Sequence, residues 1–498
     1  MPTVQTSYGS LEGAQLQGVQ AFKGVPFAKA PVDALRWAPP EKPEPWTLAR
    51  DATAYGAASL QAQSPISTMM GMSFEEGTSE DCLFLNVWTP AAGSGTRPVM
   101  VFIHGGAFVI GAGSQSMYNG EHLARRGDVV VVTINYRLGA LGFLRLGATT
   151  EGRIPATGNE AILDQVAALE WVRDEIAAFG GDPGNVTVFG ESAGSISIAG
   201  LLASPRAKGL FRRAILQSGS ANLVTAPAAA DQVGAKIVED LARDLAGQDL
   251  REIPAQRIME AQDRATPRAG GVSYAPVADG ETIALDPFEA IAGGSAEGVD
   301  ILVGSNLDEM NLFRLMDPSV DSLDETGLLA RVTAFFPDNG EDVVAAYKDA
   351  VAARGDEPMP SRTWLAFQTD QVFRAPAMKL AALQSVHTPS VYAYRFDHKS
   401  EAFGGILGAA HALELPFVFG TLSDPGFGAI VGGANDVTTA LSGRMQEAWI
   451  AFARTGNPST ESLPKWPQYE PGQRATMLFS SDPRVANAPE EATRALWD

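Results

Sequence analysis

The chain is almost without cysteine, since Cys82 is the only one among its 498 residues. An intrachain disulfide needs two thiols, so a fold held together by disulfides is excluded. A single cysteine is typical of a protein that works in a reducing compartment. We therefore expect a cytoplasmic location.

Basic residues and long apolar runs are scarce as well. Lysine and arginine number 37 against 58 aspartates and glutamates, and the net charge of −21 argues against nucleic-acid and anionic-membrane partners. No run reaches the ~18 apolar residues of a membrane span, and the first residues lack the pattern of a secretion signal. We expect a small-molecule partner, no nucleic acid, no stable membrane association, and a monomer or weak homodimer.

Strand-like runs alternate with helical patterns along the whole chain. Short β-branched or apolar runs predict strands at residues 81–89, 99–104, 129–134, 186–189, 214–217, 300–303 and 391–396. Apolar residues at helical spacing predict long helices over residues 159–179 and about 436–455. This alternation predicts an α/β fold. We expect one large domain over residues 1–498, with helical insertions around 221–298 and 311–380 and a small antiparallel hairpin region within residues 1–30.

The most informative stretch is residues 185–197, which read NVTVFGESAGSIS. A β-branched run leads into Gly-x-Ser-x-Gly, and small and apolar residues at helical spacing follow. Strand, Gly-x-Ser-x-Gly and helix in this order is the pattern of a nucleophile elbow, a turn that lifts a reactive serine clear of the backbone. The candidate nucleophile is therefore Ser192.

A serine nucleophile needs a base, and the chain offers five histidines. They are His104, His122, His387, His398 and His411. His411 is favoured because it lies in a loop of small residues that could approach other backbone closely. His104 belongs to a glycine turn, and the other three are expected at loop edges or on the surface.

The base in turn needs a carboxylate that orients its ring. In a fold of this kind the chain order is nucleophile, acid, histidine. Asp308 and Glu309 follow a predicted strand between Ser192 and His411 and occupy that place. The pattern alone does not separate the two carboxylates.

Acyl transfer also needs backbone N–H groups where the oxyanion forms. Gly105, Gly106 and Ala107 follow a predicted strand and have the composition of such a loop, with the N–H of Ala193 as a further donor. A tight glycine turn without a ligand would have the same composition. This chemistry requires neither a metal nor an organic cofactor, and none is expected.

Several apolar side chains are candidates for the substrate pocket. A soft cluster lies in the loop that contains Met69, Met72 and Phe74, and methionines suit a flexible pocket wall. Further candidates are Phe108, Leu312 and Phe313. Each of these residues, taken alone, is better explained as part of an ordinary core than as part of a pocket.

Motifs spread over nearly the whole chain resemble one known family. They are FKGVPFA at 22–28, SEDCL at 79–83, HGGAF at 104–108, NYRLG at 135–139, FGGDP at 179–183, FGESAG at 189–194, NLDE at 306–309, the His411 loop with ELP at 414–416, and WP at 466–467. The chain thus resembles the type-B carboxylesterase/lipase family, in particular its bacterial p-nitrobenzyl esterase-like members. The resemblance implies the α/β-hydrolase fold, with a large, mostly parallel central sheet, helices on both faces and helical cap insertions.

The resemblance also assigns roles to particular residues. The family's acid falls on Glu309, and its oxyanion donors match Gly106, Ala107 and Ala193. Gly105 and Glu191 are implied to support the site. The family's two salt bridges map to Arg36 with Glu80 and to Arg137 with Asp174.

Three departures from the family pattern stand out. The family's Asp-Glu-Gly is Asp308-Glu309-Met310 here, so a bulky side chain replaces a glycine after the acid. Ser195 replaces the usual glycine or alanine. Cys82 matches one half of a family disulfide whose partner position is Ser59, so we expect the loop over residues 60–75 to be mobile.

The predicted function is a serine carboxylesterase that hydrolyses carboxylic esters to acid and alcohol through an acyl-serine intermediate. The same triad could serve a carbamate or aryl-amide hydrolase. A catalytically silent binding protein is a more remote alternative, because the family's silent members lack triad residues that are present here.

Overall fold

The structure is a computed structural model that describes residues 1–62, 74, 76–93, 95–245, 249–265 and 274–498. Two of the pocket candidates, Met69 and Met72, lie outside the described residues. So does most of the loop for which the sequence predicts mobility.

A large mixed sheet crosses the molecule and has 11 strands within the described residues. In spatial order they are Arg484–Asn487, Ala475–Phe479, Val391–Phe396, Asp300–Asn306, Arg213–Gln217, Gly181–Glu191, Arg97–Ile103, Val130–Ile134, Phe84–Thr89, Gln20–Pro26 and Ala14–Gln15. Neighbours from Ala475–Phe479 to Val130–Ile134 are parallel, and the strands beyond them pair antiparallel. The predicted mostly parallel sheet is confirmed.

Burial on both faces explains why the central strands are continuous apolar runs. In strand Arg97–Ile103, Val99 and Val101 face one core, whereas Met100 and Phe102 face the other. Successive side chains of a strand point to opposite faces, so a strand covered on both sides needs no alternation with polar residues. The hydrophobic cores on the two faces of the sheet explain why the central strands can be recognised in the sequence as continuous apolar runs.

Helices connect the strands and cover both faces of the sheet. The α-helices of the described residues are Glu121–Gly127, Gly139–Phe143, Glu160–Glu175, Ala193–Leu202, Pro227–Leu245, Ala255–Ala265, Pro287–Ala292, Asn311–Arg314, Glu325–Thr333, Gly340–Ala353, Pro360–Thr369, Ala375–Gln384, Leu415–Phe419, Phe427–Ile430, Asp436–Thr455 and Glu491–Arg494. None of the helices described is long and apolar enough to cross a lipid bilayer.

The two long helices that the sequence predicts are present. The helix predicted over residues 159–179 is α-helical over Glu160–Glu175 and tightens to a 3₁₀ turn over Ile176–Phe179. The last long helix, Asp436–Thr455, has the predicted bounds. An Asn435 capping box begins it, and Gly456 at φ 79° ends it, as expected for helix boundaries.

The N-terminal region forms the predicted antiparallel hairpin. Strand Thr3–Gln5 pairs antiparallel with Ser10–Glu12, and Arg50–Asp51 adds a third strand to this small sheet. A separate parallel pair joins Ala58–Ser59 to Thr78–Ser79. This second pair places Ser59 close to Cys82.

A third core lies among the helices between strands Asp300–Asn306 and Val391–Phe396. Its buried members include Leu328, Val332, Tyr347, Trp364 and Phe367. The helical cap insertions are thus present, whereas the assignment of residues 1–498 to a single domain stays a prediction.

One of the two predicted salt bridges is confirmed and the other is wrong. Arg36 Nη2 lies 2.6 Å from Glu80 Oε2. Arg137 pairs with buried Asp164 at 2.7 Å, whereas Asp174 lies near the surface beside Lys42 and Arg173. Arg137 also donates to the carbonyl of Glu160, at the start of the helix that carries both aspartates. Asp174 lies almost three turns further along, at ~1.5 Å per residue, beyond the reach of the arginine.

Candidate active site

Ser192 occupies a sharp turn between strand Gly181–Glu191 and helix Ala193–Leu202. Its backbone lies at φ 55° and ψ −122°, a region that L-residues rarely adopt. A Cβ at Gly190 would lie 2.8 Å from the carbonyl oxygen of Ile103, and one at Gly194 only 1.9 Å from the same oxygen. The two glycines therefore permit the turn, and Ser192 remains partly exposed among buried neighbours.

Two loops bring Glu309 and His411 together. Glu309 follows strand Asp300–Asn306, and His411 lies in the loop before helix Leu415–Phe419. His411 Nδ1 lies 2.6 Å from Glu309 Oε2, and both side chains are buried. Asp308 points away from the ring, and its Oδ2 accepts a hydrogen bond from the Ala409 amide at 3.0 Å. The geometry thus distinguishes the two adjacent carboxylates that the spacing left open.

The other ring nitrogen of His411 faces Glu191. Nε2 lies 3.0 Å from Glu191 Oε1, and Glu191 directly precedes Ser192 in the chain. Within the described residues no hydrogen bond joins Ser192 Oγ to the ring. The imidazole therefore lies between two carboxylates at the elbow.

Burial and neighbouring charges shift the ionisation of these groups strongly. Burial raises the pKa of Glu191, the charge of His411 opposes this rise, and the charges of Glu414 and Glu309 add to it. Burial alone would lower the pKa of His411, but the carboxylates of Glu191 and Glu309 outweigh it and raise the pKa to about 9. A low-dielectric cluster of acids thus favours the charged imidazolium.

A network of side chains without a role in the sequence-based prediction supports both loops. Asn306 donates from Nδ2 to Glu414 Oε2 and to the Ala410 carbonyl, each at 2.7 Å. Its backbone N–H donates to Glu309 Oε1 at 2.6 Å. Gln217 donates to Glu414 Oε1 at 2.9 Å. The sequence offers one hint, since Asn306 and Glu414 each lie three residues from a member of the Glu309–His411 pair.

The Gly105–Ala107 turn lies directly against the elbow. A Cβ at Gly105 would lie 2.7 Å from Glu191 Oε2 and 3.1 Å from the Ser192 Cβ. Gly106 and Ala107 have φ values of 110° and 52°. Among the described residues, the N–H groups of Gly106, Ala107 and Ala193 donate to no backbone or side-chain acceptor. Three backbone donors are thus free near Ser192.

His104 fixes the start of this turn. Its ring stacks on Tyr136 with centroids 4.3 Å apart, and its Nδ1 lies 2.8 Å from the carbonyl oxygen of Gly105. Burial lowers the pKa of His104 to about 4. The ring is therefore neutral at neutral pH, and Nδ1 carries the hydrogen that it donates to Gly105.

Two aromatic rings lie beside His411. The Phe313 ring lies 5.1 Å from the imidazole, and the Phe373 ring lies 4.8 Å from it. Phe373 comes from a π-helical turn, Asp370–Arg374, and no pattern in the sequence pointed to it. Such turns occur often at functional sites.

The other pocket candidates are placed differently. Phe108 is fully buried with its ring edge-to-face against Phe143, and Leu312 is 7 % exposed within the second core. Phe74 is partly buried. Phe313 is therefore the candidate that the structure brings beside His411.

The three departures from the family pattern are accommodated locally. Met310 has helical dihedrals, φ −73° and ψ −6°, and its side chain packs against the third core, so no glycine is needed there. Ser195 is buried and donates to the Gly219 carbonyl at 2.8 Å. Cys82 contacts Ser59, and burial raises the pKa of its thiol to about 12.

Comparisons with known proteins agree along the whole chain. The model of the carboxylesterase family matches residues 1–497. The para-nitrobenzyl esterase of Bacillus subtilis is 41% identical, covering 99% of this chain and 97% of its own. The human cocaine esterase is 35% identical, covering 96% of this chain and 87% of its own. A carboxylesterase of Geobacillus stearothermophilus, solved at pH 6.2, superposes with a TM-score of 0.88 at 42% identity, with all of both chains covered.

The fold is that of the α/β-hydrolases. The chain belongs to the carboxylesterase family. It is a serine carboxylesterase, an enzyme that hydrolyses carboxylic esters.

Proposed function

We propose that Ser192, His411 and Glu309 form the catalytic triad of this carboxylesterase. The observation that carries the proposal is the 2.6 Å contact between His411 Nδ1 and Glu309 Oε2, beside a serine on a strained elbow. Glu309 fixes the ring so that Nε2 is the nitrogen that exchanges a proton with Ser192.

The reaction proceeds through an acyl-enzyme. Ser192 Oγ attacks the ester carbonyl while His411 Nε2 takes the hydroxyl proton. The bond to the alcohol oxygen then breaks, and the imidazolium returns that proton to the departing alcohol. A water molecule, deprotonated by the same nitrogen, attacks the acyl group and releases the acid with Ser192 restored. These steps need no cofactor and no metal.

The free N–H groups of Gly106, Ala107 and Ala193 are proposed as the oxyanion hole. Each donor contributes roughly 3–4 kcal/mol to transition-state binding in comparable sites. Because Gly105 has no side chain, the turn can approach the elbow closely. The neutral ring of His104 donates a hydrogen bond from Nδ1 to the carbonyl oxygen of Gly105. Glu191, 3.0 Å from His411 Nε2, stabilises the imidazolium that forms during the reaction.

The substrate proposed is a small ester with an aromatic or apolar group. The rings of Phe313 and Phe373 lie 5.1 Å and 4.8 Å from the imidazole of His411, so an ester bound at this histidine would have aromatic side chains close to it. The name of the Bacillus subtilis relative also points to aromatic esters. We further propose a single-domain monomer or weak homodimer of the bacterial cytoplasm. It has no nucleic-acid partner and no stable membrane association, which is in keeping with the net charge of −21.

Labelling with an organophosphate tests the proposed nucleophile. Intact mass and peptide mapping after treatment with paraoxon should find one phosphoryl adduct, on Ser192, and activity should fall in proportion to labelling. p-Nitrophenyl esters of increasing acyl length should show higher kcat/KM than the matching carbamate and anilide. An adduct at another residue, or full activity after complete labelling, would sink the proposal.

The Glu191→Gln variant tests the electrostatics of the base. His411 faces the carboxylates of Glu191, Glu309 and Glu414, which favour its charged form. Removing the carboxylate charge nearest Nε2 lowers the pKa of the imidazole. The neutral ring, which is the form that accepts the proton of Ser192, is then present at lower pH. The acid limb of the kcat/KM profile should move down by about one pH unit or more.

The exposed Glu357→Gln is the control for this experiment and should leave the limb in place. An unmoved limb in Glu191→Gln would show that the Glu191 carboxylate does not act on the ring.

A further inference from the structure

The C-terminal segment, residues 488–498, is seated on the cap helices. The Trp497 ring packs 5.2 Å from the rings of both Phe336 and Phe367. Its indole N–H donates to the Tyr347 hydroxyl at 2.8 Å. These contacts anchor the end of the segment and direct its beginning, at Glu490, toward the interior.

Glu490 is held in a conformation that is unusual for its residue type. Its backbone lies at φ 56° and ψ 42°, in the left-handed region, and its side chain is 14% exposed. A residue other than glycine persists in this region when its surroundings determine it. The side chain of Glu490 shows what that determinant is.

Three guanidinium groups converge on the Glu490 carboxylate. Arg354 donates from Nε to Oε1, Arg374 pairs with Oε2, and Arg395 Nη1 lies 3.0 Å from Oε2. The arginines come from separate elements, namely the end of helix Gly340–Ala353, the π-helical turn Asp370–Arg374 and strand Val391–Phe396. One carboxylate thus ties two cap elements to the central sheet.

The three arginines depend on this carboxylate for their proximity. Burial lowers the pKa of Arg374, and the charges of Arg354 and Arg395 lower it further. Asp370 forms an ion pair with Arg374, and Asp397 forms one with Arg395 at 2.6 Å. Each of these two aspartates therefore neutralises one arginine. Glu490 contacts all three arginines, so its loss would remove the one counter-charge that they share and leave their mutual repulsion less compensated.

Arg354 connects this cluster to the catalytic acid loop. Its Nη1 lies 3.8 Å from Asp308 Oδ1. Asp308 also bonds Ala409 in both directions, by its Oδ2 at 3.0 Å and by its backbone N–H at 2.9 Å. Asp308 precedes Glu309, and Ala409 lies two residues before His411. Arg354 therefore borders the hydrogen bonds that join the two loops of the triad.

Arg374 connects the cluster to the catalytic histidine by a second route. It directly follows Phe373, whose ring lies 4.8 Å from the imidazole of His411. The position of that ring depends on the same turn that places the guanidinium beside Glu490. Both routes end on the Glu309–His411 pair.

We propose that Glu490 is a positioning residue for the Glu309–His411 pair, acting through Arg354 and Arg374 from outside the site. This inference rests on the triad assigned above. Glu490 lies on the far side of two arginines from His411, so its loss alters the orientation of the ring rather than substrate contacts.

The test is Glu490→Ala, assayed with p-nitrophenyl acetate per active site titrated with paraoxon. We expect kcat per site to fall about tenfold while KM stays within about twofold, as when an interaction made only in the transition state is lost. Added formate should restore at least about a third of kcat by placing a carboxylate among the arginines. Glu490→Asp, which keeps the negative charge, should retain most of the activity. If Glu490→Ala does not fold, Glu490→Gln takes its place in the experiment.

Glu491→Ala is the matched control, because Glu491 pairs with Arg474 and Arg494 and, among the described residues, has no ion pair with Arg354, Arg374 or Arg395. Its kcat should stay near that of the wild type. The inference is overturned if Glu490→Ala keeps kcat within about twofold, if Glu491→Ala loses as much, or if neither formate nor Glu490→Asp relieves the loss. Failure of the triad itself would appear separately, as paraoxon labelling away from Ser192 in the wild type.

Discussion

Replacing Ser192 with alanine is expected to lower kcat for p-nitrophenyl acetate by roughly 10⁴- to 10⁶-fold, leaving only what the oxyanion donors and binding supply. Alanine removes the attacking oxygen and leaves the elbow in place. The variant should therefore fold and bind substrate, and it should take up no phosphoryl group from paraoxon. Stopped-flow and steady-state assays of kcat, with intact mass after paraoxon, measure both effects.

Ser195→Ala is the matched control for this experiment. Ser195 lies on the same helix, is fully buried, and donates to the Gly219 carbonyl rather than facing the substrate. Alanine occurs at this position in the family pattern, so kcat should stay within about threefold of the wild type. If Ser192→Ala retained more than a few per cent of kcat, Ser192 would not be the nucleophile.

Gly194→Ala is expected to have the largest effect on stability. The added Cβ would lie 1.9 Å from the Ile103 carbonyl oxygen and 2.9 Å from that of His104. Both contacts are with backbone at the centre of the sheet, which cannot move aside as a flexible side chain can. We expect the free energy of unfolding to fall by about 4 kcal/mol or more, with little activity in any soluble fraction.

Urea unfolding of Gly194→Ala beside Gly472→Ala isolates this steric effect. Gly472 lies on an exposed turn, where no atom of the described residues would come within 4 Å of an added Cβ, and its φ is not left-handed. Its replacement should change the free energy of unfolding by less than about 0.5 kcal/mol. Equal unfolding midpoints for the two variants would mean that the elbow can relax around a side chain.

The features that the sequence reveals are those with a local physical cause. The elbow needs glycines beside Ser192, and strands buried on both faces must be continuously apolar, so both leave a pattern in neighbouring residues. The helix Asp436–Thr455 was predicted over about residues 436–455 for the same reason. The last two strands of the chain, Ala475–Phe479 and the edge strand Arg484–Asn487, were not predicted.

What the sequence does not reveal depends on contacts between distant segments. Spacing left Asp308 and Glu309 as equal candidates, and Glu309 was favoured only by the resemblance to the family. In the structure, the packing of two loops places Glu309 against His411. Arg137 was assigned to the wrong aspartate of one helix, because the choice depends on where that helix begins relative to the arginine. Phe373 lies at the site because of a π-helical turn, and the spacing of apolar residues in the sequence does not predict such a turn.

Because Cys82 is buried, this enzyme is well suited to site-specific labelling on an introduced cysteine. Its thiol is inaccessible and holds its proton up to a pKa of about 12, and the chain has no second cysteine. Since the thiolate is the reactive form, maleimide dyes and thiol-specific spin labels should not react with Cys82 in the folded protein. A cysteine introduced on the surface, for example at the exposed Gly472, would be the single reactive thiol. Fluorescence or spin probes can therefore be placed at chosen points without first removing a native residue.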